Sequence, residues 1–345
     1  MNDIRIKFLL ILILLIVGFK TLAQKNDLQR DHLKGKVRLI KSYTNSKLVR
    51  SHTYNAAGFI TSTKLYCSGT GDKICSHDTS IFDVKGNKIK NIDDSFITER
   101  KFDSENNLIE EIQLLAYTKT VSNKLNYKYI NSKLVKSEQT KYQFNSKVVD
   151  FTIVTEFTYN SNGNLIEDDN THTVNGYTTH YKTLYEYNKD RNLIKQLKSN
   201  ARGEIVDTQT YKYDTVKNKI EYNLHLVCNH ANNGYNEYYK YDSNRHLIEI
   251  SHYNLIGKLI YKDAYGYDQI GNKTYSAHYV SDGLTAKTID TYKDRLLTEE
   301  TEYRTDIPVL KKTFEYDTAG NVISSVHMDG KGHVILKLNY IIDYY

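Results

Sequence analysis

Past residue 30 the chain alternates apolar and polar side chains over short runs, and many runs end with two aromatics one residue apart. Tyr185 and Tyr187, Tyr211 and Tyr213, Tyr239 and Tyr241, and Tyr265 and Tyr267 are the clearest pairs. Residues two apart in a strand share a face, so each pair lays two rings on one side of a sheet. Tyr, Phe, Thr and Ile suit a pleated, half-buried surface. No helical period competes, Pro308 is the one proline, and apolar runs beyond residue 19 are short. The pattern predicts short β-strands throughout.

Between strands one phrase returns: an aromatic, Asp or Asn, two loose residues, Gly, Asn, one more residue, then Ile. Tyr159 to Ile166 and Tyr316 to Ile323 are full copies, and Phe82-Asp83 through Ile89 is a third. Asp or Asn at the first turn position accepts backbone hydrogen bonds and suits a type I turn. The glycine three positions on supplies the left-handed residue that a type I turn with a G1 bulge requires. Asn106, Arg191, Lys217 and Arg245 stand in the glycine's place in four copies and are expected at positive φ. Further copies start at Tyr54, Phe102, Tyr187, Tyr213, Tyr241, Tyr253, Tyr267 and Tyr292, with degenerate ones near Tyr129, Phe144 and Met328. The phrase recurs roughly every 26 residues, with half-steps, which implies one hairpin unit copied many times. The expected fold is all-β: a repetitive meander of antiparallel hairpins forming an open or spiral sheet over 24–345, clearest between about residues 54 and 335.

An open meander has two exposed edges. Leu33 to Ser42 reads as a first strand laced with Lys and Arg, a cap against edge pairing. Val334 to Ile342 is more apolar, and is expected either to fold back, leaving a monomer, or to meet a partner.

Residues 1–23 carry the marks of a secretory signal peptide: Arg5 and Lys7, an apolar stretch from Phe8 to Phe19, and a cut between Ala23 and Gln24. No transmembrane span is expected after cleavage, and the destination is secreted, periplasmic or cell-surface. The whole chain holds 47 Lys plus Arg against 41 Asp plus Glu, a net +6. The excess is mild and the signs are interleaved, so a nucleic-acid partner is not expected. Of three cysteines, Cys67 and Cys75 flank a turn containing Gly69 and Gly71 and could pair in an exported protein, leaving Cys228 free, or Cys228 could pair with one of them instead.

The Tyr-Asp-x-x-Gly-Asn-x-Ile phrase resembles the YD repeat, the unit of the RHS (rearrangement hotspot) family and of the teneurin ectodomain. Tyr316, Asp317, Gly320, Asn321 and Ile323 carry it, as do Tyr159, Gly163, Asn164 and Ile166, and Tyr267, Asp268, Gly271 and Asn272. The resemblance implies a strip of hairpins winding into a spiral sheet. In large members that strip closes into a shell around a toxic C-terminal domain, and carbohydrate binding is ascribed to some members. This chain is much shorter and ends at Ile341 to Tyr345 after the last hairpin, so the likeness is to short exported Bacteroidetes-type members and no closed shell is expected.

Catalytic motifs are lacking: no Gly-x-Ser-x-Gly, His-Glu-x-x-His, P-loop, Cys-x-x-Cys or dinucleotide fingerprint occurs. Cys75 with His77, and Cys228 with His230, share a spacing that could supply metal ligands, but loop residues are the simpler reading. Asp93-Asp94 and Asp168-Asp169 are adjacent acids whose side chains point to opposite faces of a strand, so neither pair converges on a substrate. His172 and His180 could face one another across the hairpin closed by Asn175-Gly176. The ladder Tyr185, Tyr187, Tyr211, Tyr213, Tyr239, Tyr241, Tyr265 and Tyr267 is the candidate ligand platform, stacking on sugar rings if exposed and packing on neighbouring hairpins if not. No catalytic residue, metal or cofactor is expected. The sequence points to an exported, non-enzymatic structural or binding module whose partner is a glycan or an envelope protein. The alternatives are an accessory shell or neutraliser of a toxin, and a carbohydrate-active enzyme with a loop-built site.

Overall fold

The computed structural model describes residues 27–67, 73–228, 231–281 and 283–345. The segment read as a signal peptide, the glycines at 69 and 71, and Asn229-His230 lie outside them. A one-turn helix, α1 (Asp27–Arg30), precedes the strands. The first eight strands are β1 (Val37–Thr44), β2 (Lys47–Tyr54), β3 (Ile60–Tyr66), β4 (Ile74–Phe82), β5 (Lys88–Ile92), β6 (Phe96–Phe102), β7 (Leu108–Leu115) and β8 (Val121–Ile130). Next come β9 (Lys133–Tyr142), β10 (Val149–Tyr159), β11 (Leu165–Val174), β12 (Tyr177–Tyr187), β13 (Leu193–Asn200), β14 (Ile205–Tyr213), β15 (Lys219–Cys228) and β16 (Ala231–Tyr241). The last are β17 (Leu247–Asn254), β18 (Leu259–Tyr267), β19 (Lys273–Val280), β20 (Gly283–Lys293), β21 (Leu296–Arg304), β22 (Ile307–Tyr316), β23 (Val322–Asp329) and β24 (Val334–Tyr344).

Every strand pairs antiparallel with the next, and β24 pairs with β1 from Val37↔Tyr344 to Thr44↔Leu338. The sheet is therefore a closed barrel of 24 strands, which corrects the expectation of an open or spiral sheet. Twist and coil accumulate from strand to strand until the two ends meet, and closure satisfies both rows of edge groups. The stretch read as a charged cap is thus a paired strand, and the apolar C-terminal stretch folds back onto it. Their joint holds the main buried apolar cluster: Leu28, Val37, Ile40 and Tyr54, backed by Leu33, Ile60, Tyr340 and Ile342. Polar ties reinforce it. Asn321 accepts from the Lys34 amide at 2.7 Å and donates to the Lys34 carbonyl and to the Tyr344 hydroxyl, each at 2.8 Å. Arg38 pairs with Asp343.

The repeated turns behave as their residues dictate. At Asp83, Oδ1 accepts from the amides of Lys85 and Asn87 at 2.9 Å, and the Asn87 side chain donates to Oδ2 at 2.8 Å. Asp103 with Asn107, Asp214 with Asn218, and Asp268 with Asn272 repeat this clasp, which explains the Asp and Asn of the phrase. Desolvation works to raise the Asp83 carboxyl, but these bonds outweigh it and hold it below the usual range. Asn106, Arg191, Lys217 and Arg245 sit at φ 70°, 65°, 72° and 69°, in the glycine conformation. Turns that follow even-numbered strands gather at one rim of the barrel, and turns that follow odd-numbered strands at the other. The half-step copy at Tyr253 belongs to the second rim, because Asn254 closes the turn after β17.

Substantial packing joins each strand only to its two ladder neighbours, and most side chains on both faces stay partly exposed, so opposite walls do not pack together and the barrel is hollow. With strands about 4.8 Å apart and tilted by ~40°, a round barrel of this order is roughly 48 Å across.

Candidate lumenal wall

The register divides the side chains into two continuous faces. One carries Asp168, Thr183, Tyr185, Gln196, Lys198, Asp207, Gln209, Tyr211 and Tyr222 across successive strands. Burial raises the Asp168 and Asp207 carboxyls and pushes the Tyr211 phenol up to about 12, as a concave wall requires. The opposite face carries Lys–Glu rungs such as Lys101–Glu110, Lys212–Glu221 and Lys240–Glu249, whose lysine side chains are 70, 65 and 65% exposed. The first face lines the lumen and the second faces outward. A membrane-spanning barrel presents an apolar outer band, and a lysine at its midplane costs about 2–4 kcal/mol. Here charged rungs run from β5 to β22 and leave no such band. No helix among the described residues is long and apolar enough to cross a membrane.

On the lumenal face, from β14 to β19, six rings form one unbroken stack. Tyr211 meets Tyr222 at 5.2 Å and Tyr222 meets Tyr235 at 5.8 Å. Tyr235 meets His252 at 4.2 Å, His252 meets Tyr261 at 4.5 Å, and Tyr261 meets His278 at 5.5 Å. Tyr211–Tyr222 and His252–Tyr261 are directly opposed in the ladder and the other three contacts are diagonal, both within reach of cross-strand aromatic pairs. Polar partners hold the ring edges. Gln209 Oε1 accepts from the hydroxyls of Tyr211 at 2.8 Å and Tyr222 at 3.2 Å. His252 Nδ1 lies 3.4 Å from Glu237, and His278 Nδ1 lies 2.7 Å from Asp263. Lys219 stands 4.2 Å over the Tyr239 ring, and burial lowers its ammonium pKa.

The predicted platform residues separate into two classes. Tyr185, Tyr211, Tyr239 and Tyr265 lie on the mid-wall, where Tyr185 donates to Asp168 at 2.5 Å and Tyr239 to Glu237. Tyr187, Tyr213, Tyr241 and Tyr267 lie at the rim. The hydroxyls of Tyr213, Tyr241 and Tyr267 reach back one hairpin to the carbonyls of Leu193, Lys219 and Leu247, each at 3.0 Å. Tyr159 and Tyr316 do the same to Leu134 and Leu297. Sequence reasoning missed Tyr222, Tyr235, Tyr261, His252 and His278. Part of that signal was present: Tyr235, Glu237 and Tyr239, like Tyr261, Asp263 and Tyr265, alternate ring and acid at period two.

The remaining candidates fall apart or turn structural. Thr171↔His180 and His172↔Thr179 are the register pairs, so His172 and His180 occupy opposite faces; the expectation that they face one another fails by one residue. His172 packs on Phe151 and His180 pairs with Asp169. Asp168 faces inward and Asp169 outward; Asp93 caps its own turn through the Phe96 amide, and Asp94 meets His77. Cys67 and Cys75 are joined as a disulfide, Cα–Cα 5.3 Å. Among the described residues no cluster of three metal-ligating side chains occurs.

What this wall can do follows from where the rings point. Neighbouring rings flank one another at 4.2–5.8 Å, stacked between His252 and Tyr261 (11°), tilted by 33–34° at three contacts and edge to face between Tyr222 and Tyr235 (67°). Edges, hydroxyls and carboxylates are left to the lumen. The wall offers hydrogen bonds and negative charge, not open faces for sugar rings.

No family model matches the chain, and no curated protein matches it. Several solved structures are similar to it. A mutant Tc holotoxin pore of Photorhabdus luminescens is 13% identical, with 85% of this chain and 19% of that chain covered and a TM-score of 0.33. A TcdB2-TccC3 structure without its hypervariable C-terminal region gives 12%, 85%, 19% and 0.33. A porin-like protein from Bacteroides uniformis gives 13%, 64% of this chain, 96% of that chain and 0.29. The chain spans about a fifth of the toxin chains' length, and likeness at this level carries no functional argument.

Proposed function

We propose that this protein is an exported, non-enzymatic binding module of the YD-repeat kind, a hollow barrel that takes a basic polypeptide segment against its inner wall. The observation that carries the reading is the lumenal face itself. Asp207, Glu237, Asp263, Asp290, Glu300 and Glu302 line it from β14 to β21. Cations on the same face are Lys198, directly opposite Asp207; Lys219; Lys273; Lys312, which pairs with both Glu300 and Glu302; and Arg304. A glycan partner is less well matched, since the ring faces it would use are taken. Export is supported by the signal-like residues 1–23.

A hexalysine peptide titrated into the purified protein by calorimetry should bind, and binding should weaken as salt rises. Glu237→Gln combined with Asp263→Asn should abolish most of the heat. Glu221→Gln combined with Glu249→Gln, on the outer face, should leave it unchanged. No heat with the unaltered protein, or loss only with the outer pair, would refute the reading.

A further inference from the structure

Carboxylate and imidazole meet twice on the lumenal wall. Glu237 lies directly opposite His252, and Asp263 directly opposite His278. In each pair Nδ1 faces the acid, at 3.4 and 2.7 Å. A neutral imidazole that donates from Nδ1 keeps its lone pair on Nε2. A proton taken there finds the counter-ion of the charged ring already in place. Packing fixes both rings: His252 lies 4.2 Å from Tyr235 and 4.5 Å from Tyr261, and His278 lies 5.5 Å from Tyr261. From β16 His252 is faced by Glu237 and Tyr235, and from β18 by Tyr261 and, diagonally, Asp263. From β18 His278 is faced by Asp263 and Tyr261, and from β20 by Ala286 and Thr288, which carry no charge. The next charges, beyond β20, are Arg304 and Glu302 of β21. On β16, β17 and β18 this face holds no lysine or arginine.

The wall's charge is finely balanced. From β13 to β22 it bears the six carboxylates and five cations named above, one net negative charge while both imidazoles are neutral. Two imidazolium charges turn that into one net positive charge. Imidazole is the side chain whose ordinary charge change falls between about pH 5 and pH 8. We propose that His252 and His278 form a proton-operated switch that reverses the sign of the lumenal wall on mild acidification. Each proton also neutralises the carboxylate it pairs with, so Glu237 and Asp263 are withdrawn from any external cation. Burial raises the Asp207 and Asp290 carboxyls, whose negative charge is therefore lost at higher pH than an ordinary carboxylate's, in the same direction. The reversal needs only the two pairs. Its consequence, release of a basic segment in acid, rests on the binding reading above.

The test reads the local potential without any ligand. Ser276, on the same face of β19 two residues before His278, is replaced by cysteine in a Cys228→Ser background, Cys67 and Cys75 being already joined. The reporter thiol is modified with a trimethylammonium-ethyl and with a sulfonato-ethyl methanethiosulfonate, and the ratio of the two rate constants is taken. That ratio cancels the thiolate fraction, which is common to both reagents. Between about pH 7.5 and pH 5.5 the cation-to-anion ratio should fall at least about threefold. His252→Gln with His278→Gln should flatten it. Should that pair fail to fold, His278→Gln alone, which keeps the rings around His252, should remove more than half of the change. His180→Gln, on the outer face beside Asp169, should leave it intact. A ratio that does not move, or one that moves as far without the two histidines, overturns the switch. Hexalysine, bound at about pH 7.5, should bind at least about fivefold more weakly at about pH 5.5. Equal binding at both overturns the switch as a regulator. Absence of binding at both sinks the binding reading instead, and the reagent ratio still decides the switch.

Discussion

At the scale of single residues, the recurring phrase is a hydrogen-bond device rather than a recognition site. One carboxylate satisfies two backbone amides and one side-chain amide, and the residue before the final Asn stands in the left-handed region. Two of the departures from Asn keep the chemistry: His246 and His333 place Nδ1 at 3.0 and 3.1 Å from Asp242 and Asp329. Departures from Gly do not. Arg191 and Arg245 hold φ near 65° and 69°, where a Cβ is strained by about 1 kcal/mol. Glycine there removes the strain but loosens the unfolded chain, a loss of about 0.4–1 kcal/mol. The two effects nearly balance, with strain the larger. Arg191→Gly and Arg245→Gly should therefore be neutral or stabilising by up to about 1 kcal/mol in chemical denaturation. A clear loss of stability would show that these side chains make contacts worth more than the strain.

At the scale of the hairpin, five rim tyrosines stitch their unit to the one before it. A strand pair alone is marginal in water, and here five of the connections add a phenol-to-carbonyl bond across a hairpin. This clarifies what the sequence could and could not say. The aromatic pairs were legible because period two is local. Their division into mid-wall and rim was not, because it depends on which residue of the neighbouring strand lies opposite. The same limit hid the ring stack, since His252 meets Tyr235 and Tyr261 from two different strands. Tyr213→Phe isolates the stitch, because it keeps the ring and deletes one hydroxyl. It should cost about 0.5–1.5 kcal/mol, the net value of one hydrogen bond, read as a lower denaturation midpoint. Tyr253→Phe, whose hydroxyl has no such tie, serves as the control and should cost less.

At the scale of the molecule, closure was the property the sequence concealed. Strands, turns and faces all follow from local patterns, but whether 24 strands meet depends on small increments of twist and coil that no single repeat reveals. The joint itself is distinctive. Elsewhere side chains are mostly half-buried, while Val37 is fully enclosed and Tyr54 nearly so at the place where β1 and β24 pair. The Tyr345 amide donates to the Lys36 carbonyl at 2.9 Å, which sets the last residue beside the start of β1. In a ring no hairpin is intrinsically first, so the chain should tolerate being opened elsewhere. A circular permutant that links Tyr345 to Asp27 through a short Gly-Ser linker, with new termini at Gly203, tests this directly. Gly203 lies in an exposed turn, the kind of site where new ends are accepted. The permutant keeps the β1–β24 ladder and its apolar cluster, and loses only the covalent turn between β13 and β14, whose Lys195↔Thr210 ladder persists. It should fold with one cooperative transition, destabilised by no more than about 2 kcal/mol. In an open spiral the linker would drag together ends that lie far apart, and the product would aggregate or lose its β signal. Aggregation of the permutant, with the unpermuted chain soluble under the same conditions, would therefore count against the closed ring.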